Sequence, residues 1–148
     1  MKPLIIYHSE HQGNTEKIAK AISTTLDAEL MKSQNTKRKN IEGYKLIGFG
    51  SGIYYGKFHQ ELYSFVQNLP EQKGTKSFIF STTGSKSYSE KAHKSFKASL
   101  VEKGFNVIGE FSCLGFDTAL SAEGINKGRP NSEDLQEAAR FAKNLNKD

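Results

Sequence analysis

Short apolar runs alternate along this chain with longer stretches in which apolar residues return every three or four positions. The short runs predict five strands, at about residues 3 to 8, 29 to 32, 44 to 50, 76 to 81 and 106 to 113. Continuous runs such as Leu46-Ile47-Gly48-Phe49 suit strands buried on both faces. The longer stretches predict helices with one apolar face each: Ile18, Ile22 and Leu26; Phe58, Leu62 and Val66, with Phe65 and Leu69 beside them; Ala92, Phe96 and Leu100; Leu135, Ala138, Ala142 and Leu145. Pro70 and Gly104 stop the second and third helices. Pro130-Asn131 starts the fourth, with Asp134 spaced to complete a capping-box-like pair. This βαβα rhythm is the signature of an α/β fold with helices on both faces of a parallel sheet. No compositional break divides the 148 residues, so residues 1–148 are expected to form a single domain. Residues 33 to 40 and 114 to 130 read as loops, and the second has the length of a functional or mobile segment.

Composition narrows the setting. A chain of 148 residues buries roughly two thirds of its unfolded surface and needs no staples. The single cysteine, Cys113, has no partner within the chain and reads as a small buried hydrophobe. The N-terminus lacks the pattern of a signal peptide, which leads to the expectation of a cytoplasmic protein. Apolar runs such as Leu4 to Tyr7 fall far short of the roughly 20 residues of a membrane helix, so no membrane insertion is expected. The formal charge of +5 favours acidic partners. Its one dense cluster, Lys37, Arg38 and Lys39, reads as a solvated loop, and with no nucleic-acid motif beside it no nucleic-acid partner is expected.

Chemistry concentrates in three loops. The first strand runs into Ser9-Glu10-His11-Gln12-Gly13-Asn14-Thr15, and a helix follows from Thr15 or Glu16. Free N–H groups and the positive end of the helix dipole can hold a phosphate there, Ser9 and Thr15 add hydroxyls, and Gly13 lets the backbone approach. The alternative is that these small polar residues only cap the helix and turn the chain. Ser51-Gly52-Ile53-Tyr54-Tyr55-Gly56-Lys57 follows the third strand and Thr82-Thr83-Gly84-Ser85-Lys86-Ser87-Tyr88-Ser89 the fourth. Ligands of open α/β sheets bind outside the carboxyl ends of the strands, so the three loops should converge. A planar heterocycle with a phosphate tail suits such a set. The alternative for the adjacent tyrosines is packing at the edge of the core.

The Gly13-Asn14-Thr15-Glu16 loop, the Gly-aromatic second loop and the Thr82-Thr83-Gly84 loop together resemble the FMN site of flavodoxins, in order and over nearly the whole chain. That resemblance implies a flavodoxin-like doubly wound three-layer sandwich, a five-stranded parallel sheet in the order 2-1-3-4-5, non-covalent FMN, and electron transfer to redox partner proteins without a catalytic side chain. It also implies that Ser9, His11, Gln12, Gly13, Asn14 and Thr15 hold the phosphate. Gly52, Ile53, Tyr54, Tyr55 and Gly56 would lie at the isoalloxazine, with Tyr54 or Tyr55 stacked on it and the backbone of that loop tuning N5. Thr82, Thr83, Gly84 and Tyr88 would meet the pyrimidine edge. Departures exist: flavodoxins commonly show Ser/Thr-x-Thr-Gly-x-Thr, whereas Gln12 precedes Gly13 here and one more residue separates Ser9 from Gly13. Flavodoxins also tend to be acidic, often with an acid after the second-loop glycine where this chain has Lys57.

Residues 50–66, opening Gly50-Ser51-Gly52-Ile53-Tyr54-Tyr55-Gly56-Lys57-Phe58-His59, also resemble menaquinone-dependent protoporphyrinogen oxidases. That likeness implies an alternative, an FMN-dependent oxidoreductase acting on a quinone, nitro compound or porphyrinogen in a pocket lined by loop 114 to 130. A binding module that has lost its flavin is a third reading. Gly50-Ser51-Gly52 and Gly56 miss the spacing of a dinucleotide fingerprint. His8, His11, His59 and His93 show no zinc-ligand spacing, so no metal is expected. Ser9 stands in no nucleophile elbow.

Overall fold

The computed structural model describes residues 2–10, 13–37, 41–116 and 124–145. Its elements run β1 (Leu4–His8), α1 (Asn14–Leu26), β2 (Glu29–Lys32), a single 3-10 turn at Ser33–Asn35, β3 (Leu46–Gly52), α2 (Gln60–Gln67), β4 (Lys76–Thr83), α3 (Lys86–Lys103), β5 (Asn106–Leu114) and α4 (Ser132–Leu145). All strand pairs are parallel, and the order across the sheet is β2-β1-β3-β4-β5. Chain direction across the sheet reverses between β1 and β3, which opens a crevice at their carboxyl ends.

Alternation along the buried strands feeds two cores, one on each face of the sheet. Leu4, Ile6, Ile47, Phe49 and Ile79 pack with Leu62 and Val66 of α2 and Ala92, Phe96 and Leu100 of α3. Ile5, Tyr7, Phe78, Phe80 and Cys113 pack with Ile18, Ile22 and Leu26 of α1 and Ala138 and Ala142 of α4. Burial of Cys113 pushes its thiol up to about 12, so it is an inert core group.

The third strand lies two residues further along than the apolar pattern predicts. Gly50, Ser51 and Gly52 continue the ladder opposite Phe80, Ser81 and Thr82. A Cβ on Gly48 would fall 2.2 Å from the ring of Phe78, and one on Gly50 would fall 2.0 Å from the ring of Phe80. The glycines are therefore inside the strand because neighbouring rings lie across them, not because the chain turns there.

β4 likewise runs on to Thr83, and Lys86 to Ser89 already form the first turn of α3. What reads in sequence as one long third loop is thus reduced to Gly84 and Ser85. Phe58, expected on the second helix, lies before it, buried at 2 % exposure, and α2 starts at Gln60 with His59 as its N-cap. The start of α4 is as expected: Asp134 N–H donates to Asn131 Oδ1 at 2.9 Å, and Asn131 N–H donates to Asp134 Oδ2 at 2.8 Å.

Candidate functional site

The first loop enters α1 through Gly13, whose φ of +70° is the left-handed conformation that glycine adopts without strain. Gly13 N–H donates to Glu10 C=O at 2.9 Å, and the first intrahelical bond runs from Lys17 N–H to Gly13 C=O at 3.1 Å. The N–H groups of Asn14 and Thr15 precede that bond, where a helix presents its free donors. Ser9 Oγ accepts from Glu16 N–H at 3.3 Å, so this hydroxyl belongs to the helix start while its own hydrogen is left to donate. Among the described residues outside its chain neighbours, the nearest atom to a Cβ placed on Gly13 would be Glu16 Oε2 at 4.0 Å. His11 and Gln12 lie outside the described residues.

Two side chains of this loop reach other elements. Thr15 Oγ1 lies 2.8 Å from Thr82 Oγ1, and both residues are buried. Asn14 Nδ2 donates to Phe116 C=O at 2.7 Å, just past β5. The ends of β1, β4 and β5 are therefore joined into one rim.

The second loop is a two-residue hairpin turn: Tyr54 N–H donates to Lys57 C=O at 2.7 Å and Lys57 N–H returns to Tyr54 C=O at 3.1 Å. Tyr55 and Gly56 occupy its centre with φ of 52° and 76°, the positive pair that a type I′ turn requires. The turn separates the two tyrosines. Tyr54 is half-buried, edge-on to His8 and His59, and its phenol is pushed well above the usual tyrosine range by burial first and by the Glu10 carboxylate second. Its hydroxyl also covers Gly52, where a Cβ would fall 3.1 Å from it. Tyr55 stands at the tip, fully exposed, with no ring neighbour among the described aromatic pairs. Ile53 packs on the core under this turn.

In the third loop, Thr83 Oγ1 donates to Ser85 C=O at 2.7 Å and accepts from Ser85 N–H at 3.1 Å, so its side chain is committed to its own turn. Gly84 C=O accepts from Asn126 Nδ2 at 3.2 Å, which fastens the turn to the segment before α4. Tyr88 is exposed on the first turn of α3. A cleft of about 210 Å³ beside the start of α1 is lined by Asn14, Lys17, Phe116, Lys127, Gly128, Arg129 and Pro130. Part of the loop expected to line a pocket, residues 117–123, lies outside the described residues.

Two further polar clusters are present, and spacing along the chain did not reveal either. His93 is almost buried on α3; its Nε2 lies 2.7 Å from Ser81 Oγ and its Nδ1 3.1 Å from Glu110 Oε1, and Ser81 Oγ lies 2.9 Å from Ser112 Oγ. Burial holds the His93 imidazole below its usual value, opposed by the Glu110 carboxylate. Ser81 is fully buried, so this Ser-His-Glu line is a core network without a reachable nucleophile. The second cluster joins His8, Glu10 and His59. Neither was predictable because strand pairing and helix docking, not sequence separation, bring the members together.

Sheet order, parallel direction and layering define the flavodoxin-like doubly wound α/β class. The chain belongs to the flavodoxin domain family, whose sequence pattern matches residues 4–115. It is 42 % identical over 148 residues to the uncharacterized protein MJ0298 of Methanocaldococcus jannaschii, covering 98 % of each chain. Its fold is similar to that of a flavodoxin from the domain Archaea, with a TM-score of 0.75 at 22 % identity over 98 % of this chain and 96 % of that one. It is equally similar to oxidised Flavodoxin 2 from Bacillus cereus, with a TM-score of 0.75 at 24 % identity over 98 % and 97 %. Among the described residues no helix is long and apolar enough to cross a membrane.

Proposed function

We propose that this chain binds FMN non-covalently across the three loops and serves as an electron carrier. The observation that carries this reading is the joined rim: a left-handed Gly13 opening α1, tied through Thr15 to Thr82 at the end of β4, with Tyr55 exposed on the turn between them. The donor set suits a phosphate. Backbone N–H groups of Asn14 and Thr15 and the Ser9 hydroxyl are neutral donors at the positive end of a helix dipole. The Thr15-Thr82 pair has two hydroxyl hydrogens and uses one between its own oxygens, which leaves one for a ligand. Gly13, where no described side chain beyond its chain neighbours comes within 4 Å of a Cβ position but for the Glu16 carboxylate at 4.0 Å, lets the ligand come close.

Tyr55 is the ring this geometry leaves free to lie against an isoalloxazine, whereas Tyr54 is held under the turn. FMN, when bound, supplies one- and two-electron redox chemistry. The residues around it bind, orient and shield it, and no side-chain acid or base is required. Exposed Lys57, Lys86 and Lys91 lie close along the chain to the two exposed tyrosines, and Lys17 and Lys127 border the cleft beside α1. A rim of that sign favours an acidic redox partner in the cytoplasm.

The test is an absorption spectrum of freshly purified protein, followed by titration of the flavin-stripped chain with FMN and with riboflavin. Two visible flavin bands, release of FMN on denaturation and tighter binding of FMN than of riboflavin are expected. A colourless protein that does not take up added FMN overturns the reading. Reduced protein that consumes a quinone or nitroaromatic catalytically would shift the assignment from carrier to oxidoreductase.

A further inference from the structure

His8 ends β1, Glu10 lies two residues further on, and His59 caps α2 on the far side of the second loop. One donor atom from each lies within 4.8 Å of the others. His8 Nε2 is 3.1 Å from Glu10 Oε1, and His8 Nδ1 is 3.2 Å from Glu61 Oε2. Glu61 is itself fixed by the Ser33 hydroxyl, which donates to Oε2 at 2.7 Å. His59 accepts Glu61 N–H on Nδ1 at 3.1 Å, which leaves Nε2 as its uncommitted nitrogen.

A neutral imidazole has one N–H, so His8 cannot donate to Glu61 and to Glu10 at once. If Nδ1–H serves Glu61, the lone pair of Nε2 faces the Glu10 oxygen, and two acceptors stand 3.1 Å apart. A second ring proton resolves the conflict by making both contacts ion pairs, and so does a metal cation seated between Nε2 and the Glu10 oxygen. Their spacing is close to the about 3.3 Å that separates neighbouring ligands around a tetrahedral ion with bonds of about 2.0 Å. The His8-Glu61 contact then takes the form of the carboxylate that orients a metal-bound histidine through its second nitrogen.

We propose that His8, Glu10 and His59 form a binding site for a divalent transition-metal ion of the zinc class, with Glu61 as the residue that positions His8. Two imidazoles and one carboxylate favour such an ion over magnesium or calcium, which take mainly oxygen ligands. The site lies at the base of the second loop, with Tyr54 edge-on to both imidazoles at 6.0 and 5.3 Å. The imidazoles are stacked, with centroids 3.6 Å apart and planes at 18°. Stacked rings cannot both aim in-plane lone pairs at one ion, so loading turns the His59 ring. Metal uptake through Nε2 requires the one proton of the neutral His59 ring to move to Nδ1, which gives up the Glu61 amide as the ring turns; a fourth position is left to water.

The purified full chain is dialysed to equilibrium against Zn²⁺ near neutral pH, with metal and protein quantified on both sides. One Zn²⁺ per chain is expected. Glu10→Gln, His59→Ala and Glu61→Gln should each weaken binding by roughly 10- to 100-fold, while Glu133→Gln on the exposed face of α4 should leave it unchanged. Because His59 also caps α2, the exposed Glu10 provides the variant whose fold is not in question. Sub-stoichiometric uptake, affinity unchanged in Glu10→Gln, or equal competition by Mg²⁺ overturns the proposal. The outcome is independent of flavin binding, since it is read as metal per chain.

Discussion

The hydroxyls of Thr15 and Thr82 meet at 2.8 Å in the buried seam between the first turn of α1 and the last residues of β4. This contact links the loop proposed to hold a phosphate with the strand end proposed to meet the flavin ring, and the two roles can be separated by cutting it from either side.

Thr15→Val leaves Thr82 without its partner and should cost about 1 to 3 kcal/mol of stability. It should also weaken FMN more than riboflavin. Thr82→Val breaks the same bond and should cost a similar amount, but with a smaller change in the FMN-to-riboflavin ratio. Urea midpoints and flavin titrations of both variants decide this. Equal loss of both flavins in Thr15→Val would mean that the loop only caps the helix.

Tyr55 has φ of 52° and is fully exposed, so its side chain gains nothing from the fold of the flavin-free chain. Tyr55→Gly should therefore raise the stability of that form by about 1 kcal/mol, and bound flavin should become more fluorescent as a stacked ring is lost. Tyr54→Ala should do the reverse, lowering stability through lost packing on His8 and His59 while leaving most of the quenching. Fluorescence unchanged in Tyr55→Gly would transfer the stacking role to Tyr88.

Burial lowers the pKa of His93 in the fold below the value of 6.5 it has in the open chain, against the opposing Glu110 carboxylate. Between those two values the unfolded chain binds more protons, so stability should fall as pH drops through about 6.5 and level off below the folded value. His59 shifts in the same direction, from burial first and the neighbouring His8 second. His93→Gln should therefore reduce the acid slope of the urea midpoint without abolishing it. An unchanged slope would remove His93 from the account.

Asp134 accepts from Arg129 Nε at 2.6 Å and Nη2 at 2.8 Å as well as from Asn131 N–H. Arg129 first, and the Asn131 amide after it, hold the carboxyl below its ordinary 3.8 against the opposing effect of burial. Its contribution is present above the unfolded value and lost as pH falls through the folded one. Asp134→Asn should cost about 2 kcal/mol near neutral pH, and the gap to wild type should close in acid. Chemical denaturation at neutral pH and near pH 3 would expose a constant gap if the carboxylate were not responsible.

Most of the fold was legible because buried strands and amphipathic helices write different periods. The helices anchored by Ile18, Phe96 and Ala138 follow theirs closely. The period failed at the strand's end: Ser51-Gly52 reads as a loop but continues β3 opposite Ser81 and Thr82, beyond a Gly50 that leaves room for the ring of Phe80. Thr82 and Thr83 read as loop because they are polar, yet both are buried at the end of β4. Around the three loops, the helix start after β1 could be read to within two residues, and so could the order of the loops. The distinction between Tyr54 and Tyr55 could not, since it depends on two positive φ values in a turn. The meeting of His8 with His59 depends on where α2 docks, which no local pattern encodes.

The rings of Phe78 and Phe80 lie where side chains on Gly48 and Gly50 would be, with both phenylalanines fully buried. Each glycine and its facing ring thus fill one shared volume from two adjacent strands. In relatives of this chain, drift at these positions should be exchange and not independent change: a larger residue at position 48 goes with a smaller one at 78, and likewise at 50 and 80. What such exchange would conserve is the sum across each pair, with either strand free to supply the bulk.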